Sequence, residues 1–506
     1  MSAPDHPDDP GGLRLALNWF HTWFGLVLGG LLFVIFWMGS LAVFDREIDR
    51  WTMPSTRLVA AGPVSADSIA LAVRADLVGA RGWRILLPDD RTPVAQVQIT
   101  MADGQRIRRF VDPATARILP SDGSLGGTGF FYPYHFRINS GQTGLFICAF
   151  AAIAMMALCI SGVIVHRRIF ADFFTLRIVR KPQRTTLDLH NLSGVLTLPF
   201  LLMISFTGVA IFSFTYLPSA QAILYGRDPA APAAGYFSRE PAGRPGETHI
   251  SLDLLRDRAA AYWHSERPSY VQLIHAGDAN AYFELRPDSK RTIAKSTEAI
   301  WFDAASGALL ATSPVTATRR AYDVVYGIHL IQFDHWTLRW LYFVSGLAGC
   351  VLIATGLLFW VQSRQKRHAR QRAWSGRAAE AYTIAATTGA IIATLGFLIA
   401  NRLLPCDLPG RESWEVWAFH AAWAIAALHA VVRGRVAWHE HCWVIAGGGV
   451  AAAILNAATT ETGLIPAMTH GLWHTAGVDL SLLVGAALAV VAAARLRRRA
   501  AMARDG

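Results

Sequence analysis

Asn18-Trp-Phe-His21-Thr-Trp-Phe-Gly25 opens the first long apolar stretch of the chain, and Leu187-Asp-Leu-His190-Asn-Leu-Ser-Gly194 opens another 169 positions later. The same shift carries Leu32 onto Leu201, Ile35 onto Ile204 and Gly39 onto Gly208. A second shift, of 194 positions, carries Tyr132 onto Tyr326, His135 onto His329 and Ser161-Gly162 onto Thr355-Gly356. Self-similarity at a fixed spacing marks a duplicated structural unit. Ionisable side chains inside apolar segments are costly and default to a functional role, and histidine is the commonest metal ligand among them. The duplication therefore pairs His21 with His190 and His135 with His329.

Hydrophobic residues make up 53% of the 506 positions and charged residues only 16%, below the roughly 25% of soluble domains. Mean hydropathy is +0.31. The apolar residues gather in runs of about 20, enough to cross a hydrocarbon core of roughly 30 Å. Eight spans are expected, near 17–44, 143–165, 188–217, 337–361, 380–403, 413–432, 442–462 and 471–494. The first is too long for a signal-peptide apolar region and another span follows it, so it reads as retained.

The net charge of +11 gathers in short segments between apolar runs. One holds Arg167, Arg168, Arg177, Arg180, Lys181 and Arg184; a second holds Arg364, Lys366, Arg367, Arg370, Arg372 and Arg377; a third, from Arg495 to Arg499, ends the chain. Basic clusters flanking spans mark the cytoplasmic side. Both termini are then cytoplasmic, and the charge argues against a nucleic-acid partner. The protein is expected in a bacterial inner membrane, with its two long segments in the periplasm. Five cysteines without a Cys-x2-Cys motif give no disulfide framework or cysteine metal site.

Each long segment carries the pattern of a small α+β unit. The first predicts a helix from Ser65 to Val78 and strands near Trp83–Leu87, Val94–Thr100 and Arg106–Val111. The second predicts a helix from Leu252 to Trp263 and strands near Tyr270–His275, Ala281–Arg286 and Ala299–Asp303. Asp112 with Thr115, and Asp303 with Ser306, suit side-chain-capped turns after the third strand of each unit. The expected fold is an integral membrane all-α bundle of about eight transmembrane helices with two small periplasmic α+β domains. Its parts are an N-terminus and first span (1–44), an outer unit (45–142), spans two and three around a basic loop (143–217), a second outer unit (218–336), span four and a basic loop (337–378), and four further spans (379–506).

The His-x3-Gly openings, the His135 and His329 segments, the small-residue–Gly pairs at Ser161-Gly162 and Thr355-Gly356 and the Asp-x2-Thr/Ser turns closely resemble the PepSY-associated transmembrane family over about residues 15–365. The resemblance implies PepSY-like outer domains, b-type haem and a place among bacterial iron-regulated proteins and ferric-siderophore reductases. The last four spans lie outside the family's minimal pattern.

Duplication alone supplies a geometric expectation. In two repeats packed about an approximate two-fold axis, equivalent residues reach the same depth and can face each other. His21 and His190 begin spans entered from the cytoplasm, whereas His135 and His329 precede spans entered from the periplasm. Each pair could supply both axial imidazoles to one haem, giving about two haems b, one near each membrane face. Six-coordinate haem suits electron transfer. His166 is a further candidate at the inner site, although its repeat partner is Trp360, and His335 is one with no repeat partner. His420 in span six, with His470 and His474 spaced i, i+4 on span eight, could form a third site, though that spacing is common in ordinary bundles. His6, His249, His264, His368 and His439 read as solvated. Gly25, Gly39, Gly194 and Gly208 suit close helix approach or clearance for a flat macrocycle.

The chain has no Gly-x4-Gly-Lys-Ser/Thr loop, no Gly-x-Gly-x2-Gly fingerprint after a strand and no large cytoplasmic segment for a flavin or nicotinamide. Electrons would come from a membrane quinol or a separate cytoplasmic reductase. They would leave to a periplasmic acceptor, which the resemblance makes ferric-siderophore iron, docked between the two outer units. Two other readings fit the same residues: a non-enzymatic binding or regulatory protein, and a transporter whose path runs through the C-terminal spans. Because residues 380–494 lack repeat support, a chain ending near Ala373 is expected to keep both haems.

Overall fold

The computed structural model describes residues 10–59, 64–166, 182–217, 237–264, 267–313, 316–371 and 374–502. The basic residues Arg167, Arg168, Arg177, Arg180, Lys181 and Arg372, and His6, lie outside the described residues. Among the described residues, eight long apolar helical spans make this a multi-pass membrane protein.

Helix α1 (Pro10–Ala42) is followed by the short, charged α2 (Asp45–Thr52) and by α3 (Ala66–Ala72) in the first α+β unit. After that unit come a π-helical turn at Gly127–Phe131, α4 (Tyr132–Arg137) and the span α5 (Gly141–Val165). The second repeat runs through α6 (Pro182–Ala210), α7 (Leu252–Tyr262) in its α+β unit, α8 (Ala317–Leu330) and the span α9 (Trp336–Gln371). Repeat equivalents α1 and α6 each pack between α5 and α9, forming a four-helix module.

The fifth span is broken. Its halves are α10 (Trp374–Ala386) and α11 (Thr388–Leu403), separated at Thr387, whose ψ of −82° departs from the helical value. Hydroxyls of Thr383, Thr387 and Thr388 donate to carbonyls one turn back, a bonding pattern that bends helices. Helices α12 (Arg411–Arg433), α13 (Val436–Thr460) and α14 (Trp473–Met502) complete the spans.

Three strands of the first unit, β1 (Ala80–Leu86), β2 (Ala95–Met101) and β3 (Arg106–Val111), match their expected positions to within about three residues. So do β4 (Pro268–Ile274), β5 (Tyr282–Pro287) and β6 (Ile300–Asp303) of the second. An unanticipated edge strand, β7 (Leu309–Thr312), follows the Asp303–Ser306 turn and pairs with β6. The first helix stops at Ala72 rather than Val78 because the chain turns back toward β1, and Asp76 is held by Arg109 of β3 at 2.8 Å.

The two units share one antiparallel sheet of order β3-β2-β1-β4-β5-β6-β7. They join where β1 pairs with β4, from Gly82 opposite Ile274 to Leu86 opposite Tyr270. Helices α3 and α7 cap each other: Asp253 accepts from the Ala66 N–H at 2.8 Å, and Asp67 accepts from the Leu252 N–H at 2.7 Å. Carboxylates at helix N-termini are stabilising. Alternation sends Ile85, Val97, Ile99, Val271 and Leu285 into the core beneath these helices. The opposite face is polar and roofs one end of the helix bundle, the sheet side; the other end is called here the loop side.

Candidate haem sites and an adjoining vestibule

His21 on α1 faces His190 on α6, with ring centroids 6.5 Å apart. His135 on α4 faces His329 on α8 at 6.1 Å. A metal held at about 2 Å by a nitrogen of each of two imidazoles puts the ring centroids roughly 6 Å apart. Both pairs therefore have the spacing that two imidazoles sharing one metal would need.

The second nitrogen of each ring is committed. His21 Nδ1 lies 3.1 Å from the Leu158 carbonyl oxygen and 3.1 Å from Ser161 Oγ. His190 Nδ1 lies 2.9 Å from the Leu352 carbonyl, the repeat equivalent of Leu158. His135 Nδ1 lies 2.8 Å from the Ile35 carbonyl. His329 Nδ1 lies 3.0 Å from Thr207 Oγ1 and bonds the Ile204 carbonyl, the repeat equivalent of Ile35. A carbonyl can only accept, so each Nδ1 carries the proton and each Nε2 keeps its lone pair, the tautomer that a metal requires.

Four glycines make room for the rings. A Cβ on Gly39 would stand 2.7 Å from His135 Cε1, and one on Gly208 would stand 2.9 Å from His329 Cε1. On the loop side a Cβ on Gly162 or Gly356 would come within 3.1 Å of His21 or 3.0 Å of His190. Gly39 and Gly208 thus clear space for imidazoles, whereas Gly25 and Gly194 line the loop-side cavity itself.

That cavity, of about 300 Å³, lies between α1, α5, α6 and α9 and is bordered by both histidines, His166 and Trp360. The sheet-side cavity, of about 140 Å³, is bordered by His135, His329, Phe36, Phe136, Phe200 and Phe212. Leu32 touches both cavities. From His21 to Gly39 is 18 residues of α1, about 27 Å at the helical rise. One turn beyond Tyr342, which lines the sheet-side cavity, Arg339 is 1% exposed and has no partner for Nη1 or Nη2 among the described residues. Its Nε donates to the Phe333 carbonyl at 3.1 Å and its guanidinium lies over the Trp336 ring, so only the two Nη groups are left to meet an anionic group. Donor set, tautomers and clearance fit haem.

Both His-bearing short helices end in strained backbone. Ile138, after α4, has φ +42°, and Ile331, after α8, has φ +54°, uncommon for a β-branched residue. Each left-handed residue ends its helix within three residues of the histidine.

A family model for the PepSY-associated TM region matches residues 18–363. The chain belongs to the PepSY-associated transmembrane family. An uncharacterized protein of Pseudomonas aeruginosa is 28% identical over 379 residues, covering 70% of this chain and 91% of that protein. The family match ends within α9, so the PepSY-associated unit is the part that contains both histidine pairs, and spans five to eight are additional.

Of the other histidines, His166 caps α5 and lines the loop-side cavity. His335 is exposed just before α9 and lines neither cavity. His420, His470 and His474 do not gather into a third site, in keeping with the ordinary-bundle reading of their spacing. His420 bonds the Val416 carbonyl beside Tyr134, His470 is exposed in a turn between two helices, and His474 approaches Glu47 at 3.6 Å. His470 and His474 do not share a helix, because one ends at Thr469 and α14 begins at Trp473.

Sequence reading overlooked three clusters. His429 and His441 meet across the tight turn at Gly434, Nδ1 to Nε2 at 3.2 Å, with Glu440 3.1 Å from His429. Closer to the sheet, Asp479 accepts from Trp51 Nε1 at 2.7 Å and from Asn456, which in turn bonds Arg57. Nearby, Glu415 bonds Asn401, Arg411 and Ser124. Polar residues inside the appended spans were the available signal.

Beneath the polar face of the sheet lies a vestibule of about 1230 Å³, which meets the sheet-side cavity at Asp45, Tyr132 and Gln332. Among the described residues the two α+β units are joined edge to edge through β1 and β4, and the vestibule lies under this roof rather than between the units. Burial pushes the Asp49 carboxyl, on the vestibule wall, up to about 7 despite hydrogen bonds from Thr128. Burial, with Arg46 and Lys290 nearby, pulls the Lys295 ammonium down to about 8.

Proposed function

We propose that this protein is a di-haem oxidoreductase of the bacterial inner membrane that carries electrons outward to a ferric chelate in the periplasm, in iron uptake. The loop side would then be cytoplasmic and the sheet side periplasmic. The observation that carries this reading is the pair of facing histidines at each end of the four-helix module, each ring anchored through Nδ1 to repeat-equivalent backbone. His21 and His190 would hold one haem b, and His135 and His329 the other. Haem held between two imidazoles supplies one-electron transfer and leaves no open position for a substrate on iron.

The chain's own residues do the rest. Leu158, Leu352, Ile35 and Ile204 fix the rings, and Gly39, Gly162, Gly208 and Gly356 give them clearance. Apolar and aromatic walls keep water from the cavities. Tyr132 and Gln332 form the boundary between the sheet-side pair and the vestibule, where the acceptor docks. One electron converts ferric to ferrous iron, which an oxygen-rich chelate holds less tightly. The donor is a quinol or a cytoplasmic reductase.

Protein purified in detergent from cells supplied with iron and haem precursor should show a low-spin b-type spectrum and about two haems per chain, extractable into acidic organic solvent because no Cys-x2-Cys-His motif is present. After dithionite reduction, a ferric chelate should reoxidise it. A colourless preparation would remove the electron-transfer reading and leave a binding or regulatory role.

A further inference from the structure

We propose that the vestibule beneath the sheet is a receptor for ferric chelates carrying net negative charge, bound through oxygen-rich ligand groups, and that it discriminates against cationic chelates. The inference rests on the electron-transfer reading for the role of the iron, but its evidence is the vestibule's own charge.

The wall contains acids and bases, and they are unequally engaged. Asp45, Asp89, Asp288 and Glu412 each sit in an ion pair, with Arg91, with Arg46 and Lys290, with Lys290, and with Arg108 respectively. Asp49 and Asp122 are held by the hydroxyls of Thr128 and Ser55. By contrast, Arg50, Arg81, Arg84, Arg106 and Lys295 line the same space without an ion pair among the described residues. Arg50 is 3% exposed, donates to the Leu58 carbonyl and has a buried Nε without a partner among the described residues.

Strand register explains how the cations reach one space. Arg84 of β1 stands opposite Gln98 of β2 and Gln272 of β4, and Gln98 stands opposite Arg108 of β3. Alternation therefore puts guanidinium groups and amide donors in one row on the roof, while Trp83, Ile85, Val97 and Ile99, their neighbours on β1 and β2, fill the core. Arg84 also lies over the Tyr270 ring at 4.5 Å. Cations in a concave, partly desolvated wall focus a positive potential on the space between them, and guanidinium matches carboxylate and phenolate oxygens. The volume exceeds the roughly 300–1,000 Å³ of drug-sized sites, so it suits a compact chelate rather than a folded partner. The junction at Tyr132 and Gln332 would place that chelate beside the sheet-side histidine pair.

The test uses gallium(III), which copies ferric coordination but is not reduced under these conditions. Equilibrium dialysis of full-length detergent-purified protein against gallium citrate should show saturable binding that weakens as salt rises. Lys295→Glu and Arg84→Glu should each raise Kd about tenfold or more, the equivalent of one lost charge contact, whereas Lys295→Arg and Arg84→Lys should stay within a few-fold. The gallium complex of a cationic trihydroxamate should bind at least about tenfold more weakly than gallium citrate. Equal binding of the two complexes, no binding of gallium citrate, or indifference to both charge reversals would overturn the proposal. So would metal-free citrate binding as tightly as the complex. Because no electron moves in this assay, its failure leaves the redox reading intact, and a haem-free protein that still binds gallium citrate would sink only the redox reading.

Discussion

At the scale of residues, four imidazoles and four glycines make a set whose members can be tested one by one. His21→Ala and His190→Ala should each lower haem content from about two to about one per chain, and the double change should cost no more than either alone. The same should hold for His135→Ala and His329→Ala, with the other haem lost. Pyridine haemochrome content and redox titration distinguish the two sites; loss of one shared haem in His21→Ala and His135→Ala would contradict the arrangement. Gly39→Ala offers a subtler probe, because its Cβ would stand 2.7 Å from His135 Cε1 and force the ring to move. It should perturb the sheet-side haem alone, as a spectral change toward high spin, with protein yield unchanged. Gly12→Ala, where a Cβ meets nothing within 4 Å, is the matched control.

At the scale of elements, the appended spans support the sheet-side histidine rather than standing apart from it. The π-helical turn that leads into α4 carries Phe130 and Phe131. Phe130 stacks on Phe397 of α11 with centroids 4.7 Å apart and meets Phe419 of α12 at 5.1 Å. Trp51 of α2 is fully buried, bonds Asp479 of α14 and lies under Arg402 of α11. The structure thus changes what truncation near Ala373 should do. The loop-side pair, enclosed by α1, α5, α6 and α9, keeps its surroundings, whereas His135 loses the wall behind its helix. A chain ending at Ala373 should retain about one haem, the loop-side one. Phe397→Ala, a large-to-small change of the kind that costs roughly 3–5 kcal/mol in packed cores, should lower sheet-side haem occupancy and thermal stability together. Two full haems in the truncated chain would show that α4 is held by the sheet instead.

At the scale of the whole molecule, the loop-side cavity, the sheet-side cavity and the vestibule follow one another, with Leu32 bordering the first two and Tyr132 and Gln332 the last two. Their direction across the membrane is testable through Cys406. This free thiol is exposed in the sheet-side connection between α11 and α12, where its carbonyl lies near Gly123. The other four cysteines are buried or half-buried in spans. A membrane-impermeant maleimide should label Cys406 in intact spheroplasts, and Cys406→Ser should abolish most of that labelling. Labelling only after permeabilisation would reverse the orientation and with it the direction of the proposed electron flow.

Sequence by itself determined what depends on spacing along the chain. Apolar run length located eight spans, alternation located six of seven strands, and the two shifts found both histidine pairs, because each signal is one-dimensional. Repeat symmetry also implied that equivalent histidines face each other, and they do. Carbonyl anchors such as Leu158 and Ile35 were not legible, since every residue has a carbonyl and side-chain identity does not mark which one accepts. The β1–β4 junction joins strands whose partners are nearly two hundred residues apart, and strand pairing between units leaves no local pattern. Likewise Trp51 and Asp479 meet across 428 positions, a contact set by how helices pack rather than by what flanks either residue. Tertiary structure alone decided that the two α+β units make one roof, that His470 and His474 part company at a helix end, and that unpaired cations from strands and loops line a single space. Those outcomes arise from packing geometry and long-range hydrogen bonds, which act only once the chain has folded.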